Sequence, residues 1–190
     1  MAIAKKRKKF FDVEIPLINR ETQLQAFSIE ELKDRYIKYD LTRIIRGKSI
    51  ILSAKVIIED GKAIAIARQI KLMPYYLKRI VRKGTNYVED SFSTESKDAQ
   101  IRIKPFLVTR RKVSRAVRKA LREKIKEELM EYAKKTNTQD IFNDILRNTL
   151  QKTLSLKLKK IYPLSTCEIK SLKIEKELEK PIKEAKESKE

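Results

Sequence analysis

Between Arg110 and Arg122 the chain reads RRKVSRAVRKALR, with no acidic residue among these positions. At about 100° per residue, Arg111, Arg115, Arg118 and Arg122 fall within roughly 60° of one another on a helix. Val113, Val117, Ala120 and Leu121 lie on the opposite side. One face of such a helix docks on a core, and the other presents a ladder of guanidinium groups. Guanidinium is planar, permanently charged and able to pair with two phosphate oxygens at once. The chemistry this spacing offers is phosphate recognition, along or across a nucleic-acid backbone. A merely solvated face would interleave acids with its bases as i,i+4 pairs. That pattern occurs further on, where Glu123, Glu127, Glu128 and Glu131 alternate with Lys124, Lys126 and Lys134.

The candidate contacts on this segment are Arg110, Arg111, Lys112, Arg115, Arg118, Lys119 and Arg122. Two other groups extend the set. Lys5, Lys6, Arg7, Lys8 and Lys9 form a basic run near the N-terminus. Arg68, Lys71, Lys78, Arg79, Arg82 and Lys83 share a stretch without an acid. Phe10, Phe11, Tyr75, Tyr76, Tyr87 and Phe106 sit near these bases and are candidates for stacking on unpaired bases. Aromatics in such patterns more often fill a core.

Other chemistries are poorly supplied. The chain has no histidine, so it has no Ser-His or Cys-His pair and no imidazole ligand. Cys167 is the single cysteine, so neither a disulfide within the chain nor a multi-cysteine zinc site can form. Its place in a strand-like run suits a buried structural thiol. Gly47, Gly61 and Gly84 are the three glycines, too few and too scattered for a phosphate-cradling loop. The sequence therefore calls for no catalytic residue, no cofactor and no metal.

The net charge carries the same message. Lys and Arg number 46 against 26 Asp and Glu, a formal +20 over 190 residues. A chain this basic repels itself unless a polyanion neutralises it. Hydrophobic residues make up 41%, enough to build a core rather than a disordered basic tail.

The elements that position these residues follow from periodicity and turn signals. Phe10 to Ile15 reads as a short strand ending at Pro16. Ser28 to Leu32 looks like the capped start of a helix ending by Asp40, with Ser28 as N-cap and Glu31 three residues on. Lys48–Glu59 and Lys62–Leu72 are rich in β-branched residues and are joined by Asp60-Gly61, a strong hairpin signal. In the second arm Ile64, Ile66, Ile70 and Leu72 share one parity, and are expected on one face. Pro74 opens a helix that Gly84 ends. Thr85–Thr94 and Gln100–Val108 read as strands. Helices are expected from Thr109 to about Lys135, from Gln139 to Leu146 and from Thr149 to Ile161. Thr166 to Ile174 reads as a returning strand.

Strands, then helices, then one strand make an α+β class. The expected organisation is a basic arm over 1–9, one RNA-binding domain over 10–174 and a charged, mobile tail over 175–190. The basic run near the N-terminus lacks the apolar stretch of a signal peptide, and Ile50 to Ala54 is too short to span a bilayer. A soluble, intracellular protein is expected.

Several stretches carry a family resemblance. Lys8-Lys9-Phe10-Phe11-Asp12-Val13-Glu14-Ile15-Pro16 resembles the opening of the S3Ae family of archaeal and eukaryotic small-subunit ribosomal proteins. Arg110-Arg111-Lys112-Val113-Ser114 resembles the start of its long basic helix. Asn137-Thr138-Gln139-Asp140 is similar to its polar break. Lys159-Lys160-Ile161-Tyr162-Pro163-Leu164 resembles its helix-ending motif, followed by a strand with Ile169, Lys170, Leu172 and Lys173. The chain is short for the family, without the long eukaryotic C-terminal extension. The resemblance implies a barrel-like antiparallel sheet with helices packed alongside. It also implies a cytoplasmic, ribosome-bound structural protein that supports translation from the platform near the messenger exit site. Its partners there would be the 3′ region of small-subunit ribosomal RNA, neighbouring platform proteins and messenger RNA, with no membrane.

Three other readings share parts of this pattern. A chromatin-like DNA-binding protein would have the same charge. A peripheral membrane protein would use the arm with Phe10-Phe11 as a wedge. An RNA-modifying enzyme would need converging Asp, Lys or Tyr groups in a pocket.

Overall fold

The computed structural model describes residues 7–45, 47–59 and 61–177. Lys5, Lys6 and Asp60, with residues 178–190, lie outside them. Among the described residues, nine strands form one sheet along the order β2-β1-β5-β9-β8-β6, with β3 and β4 continuing from β5 and β7 pairing with β8. The strands are β1 (Lys9–Ile15), β2 (Arg20–Ala26), β3 (Tyr36–Asp40), β4 (Ile50–Glu59), β5 (Lys62–Leu72), β6 (Tyr87–Glu89), β7 (Phe92–Glu95), β8 (Ala99–Thr109) and β9 (Leu164–Glu177). The helices are α1 (Pro74–Ile80), α2 (Arg115–Lys135), α3 (Thr138–Arg147) and α4 (Thr149–Leu158). The α+β class stands, with helices beside the sheet. The sheet is not closed into a barrel, and it is not wholly antiparallel, because β1 runs parallel to β5 through Val13–Ala63 and Glu14–Ile64.

The segment after Ser28 differs from its sequence pattern. Glu31 does reach back, accepting from the Phe27 N–H at 2.9 Å. Only one 3-10 turn follows, Glu30–Leu32, and Ser28 does not cap it. Asp34 takes a left-handed φ of 65°, and the chain then bonds to Val56 of β4. Strand pairing wins over helix propensity here because it buries Ile37 against the sheet and satisfies a row of backbone groups at once.

The β4–β5 hairpin forms as expected around Gly61, whose φ is 75°. Its facing pattern does not hold. Ser53 pairs with Gln69 but Ala54 pairs with Ala67, so Arg68 is an extra, bulged residue. The bulge switches parity. Ile70 and Leu72 are buried, whereas Ile64 and Ile66 are half-buried and Ala63, Ala65 and Ala67 take the core positions.

The bulge also forks the sheet. On one side β5 pairs with β4 throughout. On its other side it pairs with β1 at Ala63 and Ile64, and with β9 only from Gln69 to Lys71. Beyond the Gln69–Lys173 pair, β5 and β9 part.

Helix and strand ends also differ from the sequence pattern. The helix opened by Pro74 stops at Ile80, with Val81 extended, and Gly84 serves the next turn at φ 83°. The expected strand at Thr85–Thr94 is two pieces, β6 and β7, broken at Asp90-Ser91. The returning strand runs to Glu177 rather than Ile174.

The core lies between sheet and helices. Leu121, Ile125, Leu129 and Ala133 recur every four residues along α2 and are all fully buried. They meet β6, β7 and α4. Ile141, Phe142 and Ile145 of α3 and Leu150, Leu154 and Leu158 of α4 complete the layer. Burying each large side chain here stabilises the fold by about 1.5–3 kcal/mol.

Candidate nucleic-acid interface

Two basic loops meet at Asn86. The first follows α1 and carries Arg82 and Lys83. The second joins β8 to α2 and carries Arg110, Arg111 and Lys112. Asn86 Oδ1 accepts from the Val113 N–H at 2.9 Å, and the Asn86 carbonyl accepts from the Thr109 N–H at 2.9 Å. Thr109 Oγ1 accepts from the Asn86 N–H at 3.0 Å and lies 2.7 Å from the Arg111 carbonyl. Thr109 is fully buried, and Asn86 and Val113 are half-buried, so these bonds are partly shielded from water. Arg82 is held from the same side, its carbonyl accepting from the Thr85 hydroxyl at 2.7 Å. Arg82, Lys83, Arg110, Arg111 and Lys112 are all exposed. The clasp thus fixes the backbone beneath five solvated cations.

The long basic helix begins later than its sequence pattern suggests. Ser114 is the N-cap, its hydroxyl accepting from the Val117 N–H at 3.4 Å. Arg110, Arg111 and Lys112 are therefore loop residues, and Arg111 does not join a helical ladder. Arg115, Lys119 and Arg122 do share an exposed face of α2. Arg118 lies half-buried beside them, with a buried Nε that has no hydrogen-bond partner among the described residues. Lys119 is 3.7 Å from Glu123. Further along, Lys124 pairs with acids at helical spacing, 3.3 Å from Glu127 and 3.6 Å from Glu128, while Lys157 of α4 also pairs with Glu128, which spacing alone did not suggest. Lys157 holds the Glu128 carboxyl below its ordinary value, and Glu127 raises Lys124.

Lys78 and Arg79 occupy the last turn of α1, just before the first loop, and are exposed. The Arg79 guanidinium sits 5.3 Å from the centre of the buried Tyr76 ring. Tyr75, on the same short helix, is 53% exposed. Tyr87 is 52% exposed and stacks at 5.7 Å on the buried Phe106. Phe10 is exposed and Phe11 half-buried.

The remaining candidates lie elsewhere. Arg7, Lys8 and Lys9 lead into β1, which β5 and β9 separate from β8. Lys8 lies 5.7 Å above the Phe27 ring. Arg68 is bound to Glu177 and only 16% exposed. Lys71 projects from the sheet as an exposed residue of β5. Cys167 is a buried free thiol, as expected, and burial pushes its pKa up to about 12.

Asn86, which clasps the two loops, is a residue that sequence reasoning passed over. Gly84 read as the end of a helix and Thr85 as the start of a strand, but nothing local tells that the Asn86 amide reaches Val113. The same holds for Lys38, Lys55, Arg102, Lys104 and Lys173, which register alone brings to one side of the sheet. Among the described residues, no group of three potential metal ligands occurs, and no helix is long and apolar enough to cross a membrane.

Comparison with known proteins gives one family match. The chain matches the ribosomal S3Ae family over residues 4–178. No curated protein matches it significantly.

Proposed function

The chain belongs to the ribosomal S3Ae family, and on that premise we propose that it binds ribosomal RNA through the two loops clasped at Asn86, on the platform of the small subunit. Membership makes it a small-subunit ribosomal protein, an RNA-binding component of the cytoplasmic translation machinery. The finer reading rests on one observation: five exposed cations, with no acid among Arg82, Lys83 and Arg110 to Lys112, stand on a backbone fixed by part-buried hydrogen bonds around Asn86 and Thr109.

The role is structural. Cations neutralise phosphates and release counterions, which supplies affinity. The fixed backbone supplies placement. Phosphate contacts set register without reading bases, and folded RNA is recognised mainly by shape. Arg115 and Arg122 continue the same charge along α2. The partners are the 3′ region of small-subunit ribosomal RNA and neighbouring platform proteins, with messenger RNA passing nearby.

The test is binding of full-length protein to a folded fragment of that 3′ region, measured at several salt concentrations beside duplex DNA of equal length. The reading requires salt-dependent affinity that favours the folded RNA. Equal binding to duplex DNA would favour the chromatin-like alternative, and no salt-dependent binding to RNA would end the proposal.

A further inference from the structure

The outer face of the sheet carries a second concentration of charge. Pairing registers line up Lys38, Ser53, Gln69, Lys173, Arg102 and Ser93 across strands β3, β4, β5, β9, β8 and β7. None of these six is buried. A core-facing row would be apolar, so this is the sheet's open face. Where β5 and β9 part, the face sinks into a cavity of about 390 Å³, lined among others by Tyr36, Lys38, Lys55, Arg68, Lys173 and Glu175. That volume lies within the range of small-ligand clefts.

The electrostatics of this cleft are partly settled within the chain. Arg68 is bound to Glu177, Arg102 lies 2.8 Å from Glu175, and Lys55 lies 2.7 Å from Asp34. The lining acids are thereby engaged. Lys38 and Lys173 have no ion pair among the described residues and are exposed on either side of the cleft. Strands lie about 4.8 Å apart, so three strand intervals set the two lysine backbones about 14 Å apart.

Tyr36 is 65% exposed, more than any other aromatic ring among the described residues. It sits on edge strand β3, opposite Lys55, on the same side as Lys38. No ring of the described chain stacks on it. A bare aromatic face beside a cleft with unpaired lysines on both sides fits one ligand chemistry: an aromatic base with an anion on each side.

We propose that this fork is a second RNA contact, which holds one unpaired nucleotide with its base on Tyr36 and its flanking phosphates on Lys38 and Lys173. The site rests on the RNA-binding reading but is separate from the loops at Asn86, which β5 and β9 do not carry. It differs from them in kind. The loops hold phosphates on folded RNA, whereas the fork needs a base free of its helix. Lys55 and Arg68, held by Asp34 and Glu177, wall the cleft and shape it rather than bind.

The experiment compares full-length wild type, Tyr36→Ala, Tyr36→Phe and the pair Lys38→Gln with Lys173→Gln. Each is titrated by fluorescence anisotropy with a labelled single-stranded oligouridylate and with the folded ribosomal RNA fragment, after circular dichroism has confirmed folding. All three positions are exposed, and Tyr36→Phe keeps the ring if the alanine variant misfolds. Loss of one base stack is expected to weaken oligouridylate binding by about 5- to 150-fold in Tyr36→Ala, with Tyr36→Phe close to wild type. The lysine pair is expected to weaken binding and flatten its salt dependence. Affinity for the folded fragment is expected to change little. Wild-type affinity for oligouridylate in Tyr36→Ala, or equal loss in Tyr36→Phe, would overturn the proposal. Failure of the wild type to bind the folded fragment, with oligouridylate binding intact, would overturn the reading at Asn86 and leave the fork standing.

Discussion

Lys48 Nζ lies 2.6 Å from Glu168 Oε2, and the two side chains are only 14% and 8% exposed. Lys48 also donates to Asn148 Oδ1. Asn148 stands at φ 62°, the corner between α3 and α4, and Glu168 lies in β9 beside Cys167. One ammonium group therefore ties the segment before β4 to the helical layer and to the middle of the sheet. A buried pair of this kind contributes little net stability when whole, because desolvation offsets the attraction. It fixes which surfaces meet.

Removing one partner is therefore costly. Lys48→Ala leaves Glu168 buried without its cation, and is expected to destabilise the fold by about 3–5 kcal/mol. The double variant Lys48→Met, Glu168→Leu is expected to recover most of that loss. Urea denaturation of the three proteins measures it; equal midpoints for the single variant and wild type would refute the account.

The same pair sets a dependence on pH. Burial pushes the Glu168 carboxyl above its ordinary 4.5, with Lys48 opposing the shift. The folded state thus holds this proton more readily than the unfolded one. The resulting contribution is fully present below 4.5 and is lost as pH rises through the folded value. Relative to Glu168→Gln, wild type is expected to gain stability as pH falls from neutral toward 4.5. A difference that stays flat across that window, or grows in the opposite direction, contradicts the shift.

At the clasped loops, charge and position separate experimentally. The variant Arg110→Ala, Arg111→Ala keeps the fold, since both side chains are exposed. It is expected to weaken binding to the folded ribosomal RNA fragment. For every phosphate left without its guanidinium, the salt slope should fall by about 0.9 on duplex-like RNA and about 0.7 on single strands. An unchanged slope would show that these guanidiniums touch no phosphate.

Asn86→Ala changes no charge. It removes the acceptor for the Val113 N–H and is expected to cost about 1–3 kcal/mol of stability. RNA affinity should fall as the two loops lose their fixed relation, while the salt slope stays near the wild-type value. If affinity is untouched while stability drops, Asn86 holds the fold and not the interface.

Local signals in the sequence were reliable where one residue type decides geometry. Gly61 turns the β4–β5 hairpin and Pro74 opens α1, whereas α2 starts after the Ser114 cap and not at Thr109 as the periodicity suggested. The α+β order, the acid-free run at Arg110–Arg122 and the family motifs were also legible. What failed to show depends on distant partners. The 28–40 segment resembles a helix start until β4 offers Ile37 a place in the sheet. The bulge at Arg68 overturned the parity of Ile64 and Ile66, because register belongs to a pair of strands and not to either one. Asn86 lies 27 residues from Val113. Lys38 and Lys173 come to one cleft only through three intervening pairings.

The central position of β9 has a consequence for biosynthesis. Of the described strands it is the last to be translated, yet it is inserted between β5 and β8, where it is the only link between the two parts of the sheet. Until it arrives, a nascent chain holds two half-sheets with unpaired edges, joined through the helices and not through strand pairing. Such edges recruit other strands, and the many lysines and arginines beside them recruit any polyanion within reach. Vectorial synthesis thus leaves the molecule vulnerable for nearly its whole emergence, and completes it in one late step.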